Sequence, residues 1–314
     1  MTNHTSKSRS KPRSLDIVLP ATSANLGPAF DAAALAFSMF LKVRAKPANE
    51  FSVTARGRDS EICGQIENHL IVTTYREILQ AEGREVPPLA LRIENQIPVG
   101  KGCGSSAAAR LAGIALAVHF GKLRWADSRI VYEAARREHH PDNAAACWMG
   151  GLAIARIPSH GEMQIAHVRP KGKWPLLLAV PNESLSTEAA RRALPDQYSR
   201  ADAVANIQNS MLLLAAFFQG RKDLLPLALE DRIHQPYRAS LCPLLSPLLE
   251  LTGTRGILGT ALSGAGPSVL VFLDPKSSVI RSRIPVQEHL RARGLNPELI
   301  HTEITARGAI QRIL

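Results

Sequence analysis

Between Pro98 and Ala108 the chain reads PVGKGCGSSAA: three glycines at alternate positions, two serines, then an alanine-rich run. Such a stretch suits an anion. Gly100, Gly102 and Gly104 let the backbone approach closely and turn its N–H groups inward. A helix opening at Ser105 or Ser106 would aim its positive end and unpaired amides at the same point. The two hydroxyls add polar contacts, one of them within reach of a phosphate-bound magnesium. Ala107 and Ala108 would let the first turn pack tightly underneath. The same residues would equally make a glycine turn and helix cap with no ligand.

The elements that must position this loop follow from hydrophobic periodicity. LDIVLPATSANLG, from Leu15, is expected to be a short strand running into a polar loop. FSVTARG and LALRIENQ alternate as strands, and residues 67–83 between them have helical spacing stopped by Gly83. The glycine loop follows the strand Leu89–Asn95. A second helix is predicted from about Asp127 to about His139, interrupted by Pro141. GLAIARIP and WPLLLAVP read as strands, and 199–220 reads as a long helix capped by Ser199 and stopped by Gly220. GILGTAL and SVLVFLD are two strands joined by SGAGP. A helix over about Ser277–Arg293 and a last strand around Glu298–Thr305 complete the order. No repeat and no strict βαβ rhythm is visible, which favours α+β over a doubly wound sheet. The composition shift at Trp174–Asn182 divides the chain into a tail over 1–14, a domain over 15–173 and a domain over 174–314.

At 314 residues the chain can bury one large core or two modest ones. No apolar run approaches the roughly 18 residues of a bilayer span, and the N-terminus has no apolar signal segment. The four cysteines, Cys63, Cys103, Cys147 and Cys242, lie far apart with no CxxC pair, so neither a structural zinc site nor a disulfide framework is expected. These features imply a cytoplasmic protein without a membrane partner. The net charge of +11 is partly the work of the first fourteen residues, where Lys7, Arg9, Lys11 and Arg13 stand without an acid in an expected disordered tail. The remaining excess is spread along the chain without interleaved aromatics. It suits small anionic ligands, and no nucleic-acid partner is expected.

Two familiar phosphate loops do not fit. A P-loop needs GxxxxGK followed by Ser or Thr, but Lys101 sits inside the glycine cluster and Gly104 precedes Ser105. A dinucleotide fingerprint needs GxGxxG with an acid about 20 residues on, and neither is present. His139, His140 and Asp142 are a poor metal cluster, because adjacent histidines point different ways and no third nitrogen ligand is spaced to join them.

Two further stretches add polar groups to glycine turns: PATSANLGPAFD, with Asn25 and Asp31, and LSGAGPSVLVF. Together with PVGKGCGSSAA, in this order, they resemble the three signature motifs of the GHMP kinases, named for galactokinase, homoserine kinase, mevalonate kinase and phosphomevalonate kinase. The middle motif matches from Pro98 to Ala108, with Cys103 where leucine is usual. ATSANLGPAFD is similar to the first motif of homoserine kinases, with Ala29 in place of a glycine, which would strain the loop if Ala29 needed φ > 0. EHHPDNAAACWMGG, STEAARRALP and EDRIHQPYR resemble later blocks of those enzymes, so the likeness runs from Leu15 to about Leu273.

The resemblance implies an α+β, two-lobed GHMP kinase fold with an N-terminal nucleotide-binding lobe and a C-terminal ferredoxin-like α/β sandwich. It implies ATP-dependent phosphorylation of L-homoserine, with ATP and Mg²⁺ as cofactors and a homodimer as the common assembly. Pro98, Val99, Gly100, Lys101, Gly102, Cys103, Gly104, Ser105, Ser106, Ala107 and Ala108 would form the ATP loop, with Asn68 near adenine. Ser106 and Glu138 would hold magnesium. Asp31, beside Asn25, would take the substrate ammonium, Arg191 and Arg238 its carboxylate, and His140 would help to hold it. Asn143 would orient the attacking hydroxyl, with Asp142 an alternative, and Thr187 would assist near the phosphates. Two rivals are a GHMP kinase for another small alcohol, with little use for Asp31, and a non-catalytic ligand-binding relative.

Overall fold

The alternating apolar residues from Leu15 onward make a strand that runs further than expected. β1 (Leu15–Asn25) contains the whole PATSAN stretch and turns through 26–28 into β2 (Ala29–Pro47), 19 residues long and not anticipated from the sequence. The expected polar loop is therefore a tight hairpin. Ala21, Ala24, Leu26, Ala33 and Leu35 are all buried there, and their packing overrides the turn preference of the neighbouring Thr, Ser and Asn. In this computed structural model, residues 14–159, 162–254, 256–277 and 279–313 are described; the tail expected over 1–14 lies, apart from Ser14, outside them.

β3 (Ser52–Gly57), α2 (Leu70–Ala81) and β4 (Leu89–Asn95) follow as read, with Gly83 just past α2, and a short α1 (Ser60–Cys63) not anticipated from the sequence precedes α2. α3 (Ser105–Phe120) is apolar on nearly every side and correspondingly buried, against α2 and the first sheet. α4 (Asp127–Glu138) ends at His139 ahead of Pro141, as expected, and Pro141 then caps a further helix, α5 (Asp142–Met149), not anticipated from the sequence. β5 (Leu152–Arg156) and β6 (Gln164–Val168) pair with each other, and β5 also pairs with β2.

β7 (Pro175–Val180) opens a second sheet. The helical stretch after it comprises α6 (Thr187–Arg192), α7 (Arg200–Gln219), α8 (Leu225–Ala228), α9 (Gln235–Arg238) and α10 (Leu245–Leu249). β8 (Ile257–Leu262), β9 (Val269–Leu273), α11 (Val279–Arg291) and β10 (Glu298–Glu303) follow. The strand order is β10–β7–β9–β8. The period of two along β7 splits the core between the faces of this sheet. Leu176 and Leu178 join the main cluster with Trp174, Phe217 and Phe272, while Leu177 and Ala179 join Leu245, Leu248 and Val286.

β10 is not the last strand. β11 (Ile310–Ile313) returns to the first sheet and pairs antiparallel with β1, giving the order β11–β1–β2–β4–β3. On the way, Thr305 N–H donates to Ala36 O (3.0 Å), Gly151 N–H to Thr305 O (2.8 Å) and Ala309 N–H to Trp148 O (2.9 Å). α7 is capped as expected: Ser199 Oγ accepts from Asp202 N–H at 3.0 Å and Gly220 closes at φ 75°. It is also the one helix among the described residues long and apolar enough to cross a membrane by length and composition, at a mean hydropathy of 1.2. In that respect the sequence reading, which found no such run, is corrected.

Candidate active site

The glycine loop is held from both sides. Gly100, Gly102 and Gly104 have φ of 69°, 76° and 70°, the left-handed region open to glycine at little cost. A Cβ on Gly104 would stand 1.9 Å from Thr22 Oγ1, and one on Gly102 would stand 2.2 Å from Ser263 O. Thr22 N–H donates to Cys103 O at 3.1 Å, and Ser263 Oγ donates to Gly102 O at 2.8 Å. Thus β1 and the SGAGP turn clamp the loop ahead of α3, whose first amides face the cleft. Cys103 is fully buried, and burial raises its thiol to about 12, so it acts here as an apolar side chain. Pro98, Ala107 and Ala108 are buried beneath the loop, while Lys101 Nζ reaches Asn182 O across the cleft. Val99 N–H donates to Asp59 Oδ2 at 2.8 Å.

Ser106 Oγ donates to Glu138 Oε1 at 2.6 Å, so α3 and α4 bring together a hydroxyl and a carboxylate. Arg110, one turn beyond Ser106, places Nε 2.5 Å from the same oxygen. The sequence reading missed Arg110, although the i, i+4 spacing from Ser106 was there to be used. A hydroxyl and a carboxylate are hard oxygen donors of the kind magnesium takes in ones and twos beside phosphates, so the pair fits that ion.

The HPDN segment gives Asp142 and Asn143 different surroundings. Asp142 is 1% exposed, and its Oδ1 accepts from Asn143 N–H at 2.6 Å and meets His140 Nδ1 at 3.0 Å. Its carboxylate is thereby committed to the start of α5 and to the imidazole. Asn143 is only half-buried and lines the cleft, and its Oδ1 accepts from Thr22 Oγ1 at 2.6 Å. Burial disfavours charge on His140, but the hydrogen bond and charge of Asp142, with Glu138 and Asp31, outweigh it and the pKa lies above the ordinary value.

Opposite charges expected to meet the substrate meet each other. Arg191 donates from Nη2 and Nη1 to the two oxygens of Asp31, at 2.8 and 3.0 Å, as a bidentate pair. Asp31 has φ 52° and Asn25 φ 70°, conformations these two residue types tolerate. Asn25 steadies the bend: its Oδ1 accepts from Asp31 N–H at 3.0 Å and its Nδ2 donates to Gly264 O at 2.8 Å. Ala29 has no positive φ, so its replacement of glycine brings no strain.

Arg238 is 1% exposed. Its Nε donates to Ala190 O at 3.1 Å and its Nη1 to His234 Nδ1 at 3.2 Å, while its guanidinium lies 5.3 Å from the centre of the Phe30 ring. Burial first, and then the nearby Arg191 cation, lower its pKa. His234, fully buried and stacked on Phe30 at 5.3 Å, supports it and was not singled out from the sequence. Thr187 opens α6 and Arg191 follows one turn later, both lining the cleft.

One cleft of about 110 Å³ is thus lined by Asn25, Asp31, Glu138, His140, Asp142, Asn143, Thr187, Arg191, Arg238 and the glycine loop. Asn68 lies apart from these, in a neighbouring hollow of about 400 Å³ that shares Ser105 and Ser106 with the loop and is walled by Leu41, Ile62, Ile97 and Val99. It precedes the N-cap of α2, which is His69.

The GHMP kinase N-terminal domain description matches residues 69–151, and the GHMP kinase C-terminal description matches 213–285. The chain is 42% identical to the homoserine kinase of Solibacter usitatus over 292 residues, covering 92% of this chain and 94% of that one. The chain belongs to the homoserine kinase family. The homoserine kinase of Deinococcus radiodurans is 35% identical, with 95% and 97% covered. In fold, the chain is similar to the crystal structure of homoserine kinase from Cytophaga hutchinsonii, with a TM-score of 0.79, 21% identity and 99% and 100% covered. It also shares the fold of a Leishmania major mevalonate kinase solved with R-mevalonate, with a TM-score of 0.68, 14% identity and 93% and 96% covered.

Proposed function

We propose that this cleft transfers the γ-phosphoryl group of ATP to the hydroxyl of L-homoserine, giving O-phospho-L-homoserine on the way to threonine. The observation that carries this reading is the meeting, in one cleft, of a glycine-clamped helix N-terminus, the Ser106–Glu138 oxygen pair and the opposed charges of Asp31 with Arg191 and Arg238. A zwitterionic amino acid beside a phosphate donor asks for that set.

The loop from Gly100 to Gly104 and the first amides of α3 receive the phosphates, and adenine takes the apolar hollow next to Asn68. Ser106 and Glu138 would hold Mg²⁺, with Arg110 fixing the Glu138 carboxylate. The ion, when bound, neutralises charge on the phosphates during transfer. Asp31 exchanges its Arg191 partner for the substrate ammonium, and Arg191 with Arg238 takes the carboxylate. Asn143, steadied by Thr22, orients the hydroxyl, and Thr187 assists near the phosphates. His140 is biased toward its charged form and Asp142 is already committed, so neither is a ready proton acceptor. The hydroxyl proton passes to the transferring phosphoryl group itself.

In this reading residues 15–173 form the ATP lobe, completed by β11, and the lobe opening at Trp174 supplies Arg191 and Arg238. The enzyme works in the cytoplasm as a homodimer, without nucleic-acid or membrane partners. The test is ADP release by purified protein with Mg-ATP and L-homoserine, D-homoserine, mevalonate, L-serine or no acceptor. Turnover selective for L-homoserine and lost in Glu138→Ala and Arg238→Ala is expected. Selective turnover of mevalonate would refute the acceptor site, and no turnover with intact ATP binding would refute catalysis.

A further inference from the structure

α7 is apolar on its outer face as well as its inner one, which is unusual for a helix on the surface of a lone chain. Three of its polar side chains bond to the rest of the chain: Asn206 Nδ2 and Ser210 Oγ both donate to Pro28 O, at 2.8 and 2.9 Å, and Asn209 Nδ2 donates to Glu230 O at 3.0 Å. Leu213, Ala216 and Phe217 are buried beside them, yet five large apolar side chains point outward. Val204 is 46% exposed, Ile207 61%, Met211 65%, Leu212 39% and Phe218 68%. Among the described residues, these five are a third of the fifteen exposed large apolar side chains, all on one helix face. A helix apolar on this scale is ordinarily covered.

The order of residues along the stripe says what covers it. Ala201, Val204, Gln208, Met211, Ala215 and Phe218 recur with alternating spacings of three and four, the seam of two packed helices. About a twofold axis between Asn209 and Ser210, an antiparallel second copy would set Ala201 against Phe218, Val204 against Ala215, Ile207 against Leu212 and Gln208 against Met211. The two largest mismatches in size thus fall opposite one another, and each small residue leaves room for the larger side chain across from it. At roughly 200 Å² for a whole aromatic side chain and somewhat less for an aliphatic one, the exposed fractions leave about 500 Å² of apolar surface per chain. Two copies then bury on the order of 1,000 Å² before the flanking polar rim is counted, which reaches the threshold for a specific interface.

We infer that the outer face of α7 is the twofold interface of a homodimer, packed antiparallel about Asn209 and Ser210. This rests on the homodimer reading above and fixes its surface. Sedimentation velocity from about 1 to 50 μM reads the assembly of the wild type, Met211→Glu and, as a second route to the same face, Phe218→Ser, with circular dichroism and thermal unfolding checking that each variant folds. The expected result is a wild-type dimer and folded variants that dissociate at concentrations at least about 100-fold higher. The pair Val204→Cys with Ala215→Cys should form disulfide-linked dimers on oxidation, and Val204→Cys alone should not. A monomeric wild type would refute both the homodimer and its surface. A wild-type dimer unaffected by folded α7 variants would refute this surface and leave the homodimer standing. Monomers that bind anionic lipid vesicles through the same residues would overturn the second copy as occupant.

Discussion

Lowering the pH should loosen the core of the substrate site through a single imidazole. His234 sits between a carbonyl that can only accept, Gly27 O at 2.8 Å from Nε2, and a guanidinium that can only donate, Arg238 Nη1 at 3.2 Å from Nδ1. Both contacts are satisfied only by the neutral ring with its hydrogen on Nε2. A proton on Nδ1 would face the Arg238 N–H directly. Burial and the Arg238 cation lower the pKa against the opposing pull of Asp231, from 6.5 to about 4. Because the folded value is the lower one, the unfolded chain takes up the extra proton first, and stability falls as pH drops below the unfolded value. The difference contributes about 2 kcal/mol between pH 7.5 and pH 5, approaching about 3 kcal/mol below pH 4. His234→Gln can donate to Gly27 and accept from Arg238 but does not titrate. Urea unfolding of both proteins at pH 7.5 and pH 5 should show the wild type losing about 2 kcal/mol more than the variant. Equal losses, within about 0.5 kcal/mol, would refute the reasoning.

Gly104→Ala meets both a φ of 70° and Thr22 Oγ1 at 1.9 Å; a loss of about 3 kcal/mol or more is expected in denaturant unfolding, with weakened ATP binding by calorimetry. Arg110→Met frees Glu138 from a 2.5 Å contact, and we expect kcat to fall roughly 10- to 100-fold, a changed Mn²⁺ affinity by paramagnetic resonance titration, and partial recovery in Arg110→Lys. Asp31→Asn keeps the shape and removes the charge that would hold the ammonium, so KM for L-homoserine should rise about 100-fold in steady-state assays while KM for ATP changes little.

The residues of the site were more legible than the strands that carry them. The loop from Pro98 to Ala108 announced itself as a turn into a helix because alternate glycines followed by serines and alanines have that local use with or without a ligand. Ser199 and Gly220 marked the ends of α7 for the same reason. β2 was hidden because its AAALAF run is small, apolar and without clear period two, and only pairing with β1, β4 and β5 makes it a strand. Pro141 marks the stop after α4 as the sequence predicts, but the same residue is the N-cap of α5, a helix the sequence pattern does not announce. β11, with its exposed IQRI, carries almost no hydrophobic signal and exists through its partner. Thr22 and His234 escaped notice because their roles lie in contacts with residues far along the chain, 121 positions away for Thr22 and Asn143 and 207 for His234 and Gly27. The mutual pairing of Asp31 and Arg191 likewise depends on the fold closing over 160 residues.

The segment that runs from β10 back to β11 gives this protein a schedule. α5, which carries Asp142 and Asn143, ends at Met149, yet the carbonyl of Trp148 is bonded by Ala309 and the amide of Gly151 by Thr305. At roughly 5 to 20 residues per second, the ribosome delivers those partners about 10 to 30 s after it delivers α5. Through that interval the nascent chain has its glycine loop and its HPDN segment but not the backbone partners of Trp148 and Gly151. Phosphoryl transfer by the complete fold therefore waits on backbone partners that lie outside the cleft.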